Sequence, residues 1–216
     1  MAKRLFFRID SNGIYESLIE FKYYTGFAIS QKQKSISSLH DEINKIYSGK
    51  ILEASSKSPD ELGKMLSAFN LKVKIDEKLI SLENVFQSSK VFENGGPYVD
   101  LLNATPLEAK KDERLRNSGK IIGFNVNGKN YPIEPKTLFY DWIYCRALSH
   151  YSSYISKLND YSIFTDIEFN HEKSINCQAR AIAIFVYLKN NDLLASAISS
   201  IENFEKIAYR NFYHIK

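Results

Sequence analysis

The chain has 216 residues, 44% of them hydrophobic, enough for one medium domain with a continuous core or for two small ones. Its net charge of +4 and the absence of any run of five like charges permit nucleic acid as a partner without predicting it. Cys145, Cys177 and the scattered histidines have neither disulfide nor zinc spacing. No apolar run approaches the ~20 residues of a bilayer span, and the start "MAKRLFFRID" lacks a cleavable signal, so a reducing cytoplasm is the expected compartment.

In chain order, residues 3–9 (KRLFFRI) and 13–24 (GIYESLIEFKYY) read as two strands around the turn Asp10-Ser11-Asn12-Gly13. Residues 24–36 (YTGFAISQKQKSI) read as a segment between strand end and helix start that carries Lys32 and Lys34, either a solvated turn or a functional loop. Residues 35–49 put Ile36, Leu39, Ile43 and Ile46 at helical spacing, with Gly49 at the stop. Ser58, Pro59 and Glu61 predict an N-cap, a first helical position and a capping box. Residues 71–75 alternate like a short strand.

Residues 82–92 (LENVFQSSKVF) predict a helix that starts at Ser81 and is stopped by Asn94-Gly95-Gly96-Pro97. Leu82, Val85, Phe86 and Phe92 fall on one side, and Glu83, Gln87 and Lys90 form a second stripe. By spacing alone that stripe is a solvated outer face; the alternative is a pocket wall carrying a carboxylate, an amide and an ammonium.

A short helix around 98–102 leads to a second helix start, with Thr105 as cap, Pro106 at the first position and Glu108 as box partner. "EAKKDERLR" (108–116) mixes signs like an exposed helix face. Residues 120–133 predict a β-hairpin turning at Asn127-Gly128. Residues 136–158 read as one or two helices, with Trp142 in the core and Cys145 as a small buried hydrophobe.

"SIFTDIEF" (162–169) reads as a strand on which Asp166 and Glu168 share a face and can point to a cavity. Residues 174–190 predict a buried helix, with Ser174 as its cap in the plain reading. Asn176 and Arg180 would lie on one face near its positive end, a natural place for phosphate. Residues 192–212 form a closing helix pair. The fold class is α+β, one mostly helical domain over 1–216 with a few short strands and a hairpin, in which residues 1–20 are a strand region without an assigned place.

There is no phosphate-binding loop, dinucleotide fingerprint, zinc-protease motif or nucleophile elbow. The Glu83, Gln87, Lys90 spacing nevertheless resembles the signature helix of the NADAR family, an acid-x-x-x-Gln-x-x-Lys pattern. With "YTGFAISQKQKSI", "LFYDWIYCRAL" and "FTDIEFNHEKSINCQARA", the chain over about residues 20–210 resembles the branch paired with DarT-type DNA ADP-ribosyltransferase toxins. Riboflavin-pathway members carry an Asp-x-x-Trp-Gly-like ending where this chain has "FTDIEFN", so their catalytic residues do not transfer.

The resemblance implies an N-glycosidase that removes ADP-ribose from guanine in DNA as an antitoxin, without metal or cofactor. Its partners would be ADP-ribosylated DNA, ADP-ribose and the cognate toxin, with no membrane. Breaking a C–N bond at an anomeric carbon builds positive charge on the ribose, which a carboxylate stabilises, and the departing amine needs a proton. A lysine–sugar imine is a second route.

On this resemblance Glu83, Lys32 and Asp166 are the catalytic candidates. Lys32 is the imine lysine, with Lys34 or Lys90 behind it. Ser30, Lys34, Gln87, Lys90, Trp142, Glu168, Asn170, Asn176 and Arg180 are the substrate-binding candidates, with Arg180 and Asn176 for the diphosphate. The modified guanine must be single-stranded or flipped out to reach a pocket. The competing expectations are a non-catalytic module that binds ADP-ribose or the toxin, and an N-glycosidase of a small phosphorylated metabolite.

Overall fold

The structure, a computed structural model, describes residues 1–214. The chain opens with β1 (Ala2–Ile9), β2 (Ile14–Phe21), α1 (Ile29–Asn44), β3 (Ile51–Glu53), α2 (Glu61–Met65), β4 (Lys72–Ile75) and β5 (Lys78–Ser81). It continues through α3 (Leu82–Ser88), β6 (Lys90–Phe92), a 3-10 turn at Val99–Asn103, α4 (Pro106–Lys111), α5 (Arg114–Asn117), β7 (Ile121–Val126) and β8 (Lys129–Tyr131). It closes with α6 (Leu138–Leu148), α7 (Ser152–Leu158), β9 (Ile163–Thr165), α8 (Gln178–Asn190), α9 (Leu194–Ile198), α10 (Ile201–Ala208), a 3-10 turn at Tyr209–Asn211 and β10 (Phe212–His214).

The main sheet has the order β10-β2-β1-β9-β3, and β4-β5 and β6-β7-β8 form two smaller sheets. β1 pairs antiparallel with both β2 and β9, while β3 runs parallel to β9 and β10 parallel to β2. The strand region that the sequence left without a place is therefore the middle of the main sheet. Its period-two pattern builds two cores. Phe6 and Ile163 meet Ile36, Leu39 and Ile43 of α1 on one face, whereas Phe7, Ile9 and Phe164 join α8 on the other. α8 and α6 are apolar on nearly every side and pack against each other at the centre, as helices hydrophobic all round must. The fold is α+β with helix as the larger share.

Several local expectations hold. Ser81 caps α3 by accepting from Asn84 N at 3.1 Å, and Thr105 and Glu108 form the capping box of α4. Asn127 and Gly128 take φ of 48° and 80° at the hairpin turn, the left-handed pair a two-residue turn demands.

Others are corrected. α1 begins at Ile29, so Lys32 and Lys34 are helical rather than in a loop. The cause is Ser35, whose hydroxyl accepts from Tyr24 N at 2.9 Å and donates to Gln31 O at 3.0 Å, tying the incoming chain to the helix. α1 ends at Asn44, short of Gly49. Asp60, not Ser58, caps α2, accepting from Leu62 N at 2.8 Å. α3 stops at Ser88 because residues 90–92 are drawn into pairing with β7, Lys90 opposite Phe124. β9 ends at Thr165, where Asp166 Oδ1 accepts from Glu168 N at 3.0 Å and Phe169 N at 3.2 Å and turns the chain, so Asp166 and Glu168 share no strand face. α8 starts at Gln178 behind Cys177, so Ser174 is not its cap. Among the described residues no helix is long and apolar enough to cross a membrane.

Candidate active site

A cleft of about 810 Å³ opens between α3, α4, the β7–β8 sheet and the segment 166–178. Six lysines line it (57, 90, 110, 111, 136 and 173) against four carboxylates (Glu83, Glu134, Asp166 and Glu168), so its wall favours an anion. Phe69, Phe86, Phe124, Tyr140 and Phe169 supply its apolar surface.

Every residue of α3 is buried. Asn84 pins the helix, its amide donating to Leu101 O and Ala104 O, each at 2.7 Å. Phe86 anchors the other side, stacked on Phe139 and edge-on to Tyr140. The stripe is thus fixed as a wall. Lys90 Nζ donates to Gln87 Oε1 at 2.6 Å, and Gln87 Nε2 donates to Glu83 Oε1 at 2.8 Å. The ammonium and the carboxylate together dictate which way the amide points. Lys110 Nζ reaches Glu83 Oε1 at 3.9 Å, and Lys90 Nζ stands 4.7 Å from the centre of the Phe86 ring. Burial pushes the Lys90 ammonium down to about 8; the Glu83 charge opposes that shift and Lys110 adds to it.

Across the cleft Asp166 is 4% exposed. Gln178 Nε2 donates to its Oδ2 at 2.9 Å, while Gln178 Oε1 accepts from Ala68 N. Burial raises the Asp166 carboxyl to about 6 although its hydrogen bonds from Gln178 and Glu168 N pull the other way. Asn176 enters the cleft just ahead of α8, its buried Oδ1 without a hydrogen-bond partner.

The cleft therefore brings together Glu83, Gln87, Lys90, Asp166, Glu168 and Asn176. The other sequence candidates do not line it. Lys32 stands beside it, its ammonium 3.2 Å from Glu168 Oε1 and donating to Tyr23 Oη at 2.6 Å. Burial works against that ammonium, but Tyr23 and Glu168 outweigh it and raise its pKa. Ser30 and Lys34 are exposed on α1. Asn170 holds a turn by accepting from Glu172 N at 3.0 Å. Trp142 is core, packed on Tyr131 and Phe139 with Nε1 donating to Ile198 O at 3.4 Å. Arg180 points away from the cleft. It lies 3.4 Å from Asp141 Oδ2, bonds Thr137 and covers the rings of Tyr209 and Phe212, so it is not placed to hold a diphosphate.

Sequence reasoning missed Gln178 and the cleft lysines other than Lys90. Lys110 sits in the mixed-sign cluster that reads as exposed helix face; only the packing of α4 against α3 turns it to Glu83. Gln178 had no signal in spacing, because its role depends on the Asp166 turn and on Ala68 N. Chemically, the cleft offers a shielded carboxylate tied to cations on one wall and a carboxyl able to hold a proton near neutrality on the other. Among the described residues no group of three His, Cys, Asp or Glu is arranged to hold a metal ion.

The family described as DarT1-associated NADAR antitoxin matches this chain over residues 2–214. No curated protein matches it.

Proposed function

Because the chain belongs to the DarT1-associated NADAR antitoxin family, we propose that it is an N-glycosidase that removes ADP-ribose from guanine bases in DNA and so reverses the modification made by its cognate toxin. The observation that carries this reading is the pairing of Glu83 and Asp166 in one lysine-rimmed cleft. Two phosphates and a DNA strand fit the cationic wall, and the aromatic side chains suit a purine.

In this reading Glu83 faces the ribose, where its negative charge stabilises the cation that forms as the C–N bond breaks. The Gln87 and Lys90 chain keeps it aimed. Asp166 delivers a proton to the departing base amine, and water then adds to the anomeric carbon and returns a proton to the Asp166 carboxylate. The products are unmodified guanine in DNA and free ADP-ribose. If the route instead runs through a lysine imine, Lys90 is the amine the cleft offers, since Lys32 is held as an ammonium by Tyr23 and Glu168.

The test is incubation of the purified protein with an oligonucleotide carrying ADP-ribosyl-guanine. Release of free ADP-ribose is the expected result. Binding without release from the folded protein refutes the enzyme in favour of a binding module. Release from a small nucleotide but not from modified DNA would favour the metabolic alternative.

A further inference from the structure

Behind the cleft lies a second buried carboxylate that the chemistry above does not use. Glu53 ends β3 and is 1% exposed. In the parallel β3–β9 pair it sits opposite Thr165, one residue before Asp166. Its Oε2 accepts from Thr165 Oγ1 at 2.7 Å and its Oε1 from Ile167 N at 2.9 Å, so its two oxygens bracket the Asp166 backbone. Among the described residues no Lys, Arg or His nitrogen lies within 4.0 Å of a carboxylate oxygen of Glu53 or Asp166. Two buried carboxylates, one bonded to the residues on either side of the other and neither with a cation against it, do not both ionise readily.

The surroundings also give a proton on Glu53 a place to go. His40 Nε2 lies 2.9 Å from Thr165 Oγ1, which makes a chain Glu53–Thr165–His40. With Glu53 ionised, His40 Nε2–H donates to Thr165 and Thr165 donates to Glu53. With Glu53 protonated, every bond in the chain reverses and His40 takes its other tautomer, so Glu53, Thr165 and His40 stay linked in either state. His40 itself stays neutral, since burial holds it down to about 4. Ser55 also bonds Glu53, and Arg4 Nε donates to the neighbouring Ile167 O at 3.4 Å. Glu61 and Lys64 of α2 pair with each other at 3.3 Å. Around Asp166 stand Glu168, Lys110, Cys177, Tyr140 and Tyr144. Burial and the Asp166 charge both raise the Glu53 carboxyl above its ordinary range.

We propose that Glu53 and Asp166 act as one buried carboxylate pair that retains a single proton near neutral pH, with Glu53 a positioning residue that governs the protonation of Asp166 in the cleft. This rests on the reading of Asp166 as a group of the N-glycosidase reaction.

The experiment is the pH dependence of ADP-ribose release by wild type and Glu53→Gln. The amide keeps the size of Glu53 and matches its protonated form, accepting from Ile167 N and donating to Thr165 Oγ1, but removes its charge. The limb of the profile governed by Asp166 is expected to move about one pH unit lower, as loss of a nearby like charge requires, with the plateau rate kept within a few-fold. A limb that does not move, whether the rate is kept or falls equally at every pH, overturns the proposal.

A second measurement needs no variant. Nitrogen-15 NMR of His40 in the wild-type protein should show an exchange of ring tautomers as the pair titrates, and a tautomer fixed throughout overturns the proposal. If wild type releases no ADP-ribose at any pH, the functional reading fails, while the His40 tautomer still decides whether the pair exists.

Discussion

The Gln87 amide donates to the Glu83 carboxylate at 2.8 Å, one helical turn away, at a site where Glu83 is 5% exposed. That bond turns a sequence pattern into a working geometry, because it aims a charged oxygen into the cleft and leaves the Gln87 carbonyl for Lys90. Glu83→Gln keeps the volume and removes the charge. Turnover on ADP-ribosylated DNA should fall by about 10²- to 10⁴-fold, the range expected for loss of a positioned carboxylate. Thermal unfolding should shift by no more than about 3 °C, the equivalent of roughly 1 kcal/mol in a chain of this size. A variant that retains wild-type turnover would remove Glu83 from the chemistry.

Lys90 should titrate well below an ordinary lysine, near the value of about 8 to which burial pushes it. At pH 8 about half of it would then be free amine, against roughly one in three hundred for a lysine at 10.5. NMR titration of the lysine side chains checks this directly. The linked stability effect has a definite sign. Between about pH 8 and 10.5 the unfolded chain binds more protons at this site than the folded one, so its contribution to stability rises with pH through that window, and the penalty is fully present below it. In line with this, borohydride reduction during turnover should trap any lysine–sugar adduct on Lys90, and Lys32→Ala should keep turnover within about tenfold. An adduct on Lys32 would reverse the assignment.

Local chemistry in the sequence carried much of the fold. The Thr105–Glu108 box, the Ser81 cap and the Asn127-Gly128 turn are all present because each is satisfied within a few residues. What the sequence could not show depended on distant partners. α3 is cut short by strand pairing with β7, and the N-terminal hairpin takes its central place only because β9 and β10 add to its two edges. The cleft was legible where the family pattern named residues, as for Glu83, Gln87 and Lys90. It was illegible where a side chain acts through tertiary contact alone, as Gln178 does between Asp166 and Ala68. Arg180 misled for the same reason: a basic residue at a helix start reads as a phosphate ligand until Asp141, 39 positions earlier in the chain, claims it.

The lysine rim predicts salt-sensitive binding of the modified strand. Lys173 is exposed at the cleft edge, where it can neutralise one phosphate without touching the reacting atoms. Lys173→Gln should weaken binding of an ADP-ribosylated single-stranded oligonucleotide and lower the slope of log K against log salt by about 0.7, the contribution of one phosphate on a single strand. Turnover at saturating substrate should be unchanged. Fluorescence anisotropy over a salt series measures the slope, and an unaltered slope would place the strand elsewhere.

Arg180 and Asp141 predict a loss of stability rather than of chemistry. Asp141 is fully buried, bonded by Tyr209 Oη at 2.9 Å and facing Arg180 at 3.4 Å, and burial already raises its carboxyl despite the nearby guanidinium. Arg180→Met removes the only cation within 4.0 Å of that carboxylate among the described residues. Breaking one side of a buried pair should cost about 3–5 kcal/mol, read as a lower midpoint in chemical denaturation. The double variant Asp141→Asn, Arg180→Met should recover much of that loss, because no unpaired charge is left inside. The folded fraction of either protein should release ADP-ribose with a KM near that of wild type. A KM raised tenfold or more in a stably folded double variant would return Arg180 to the role of phosphate ligand.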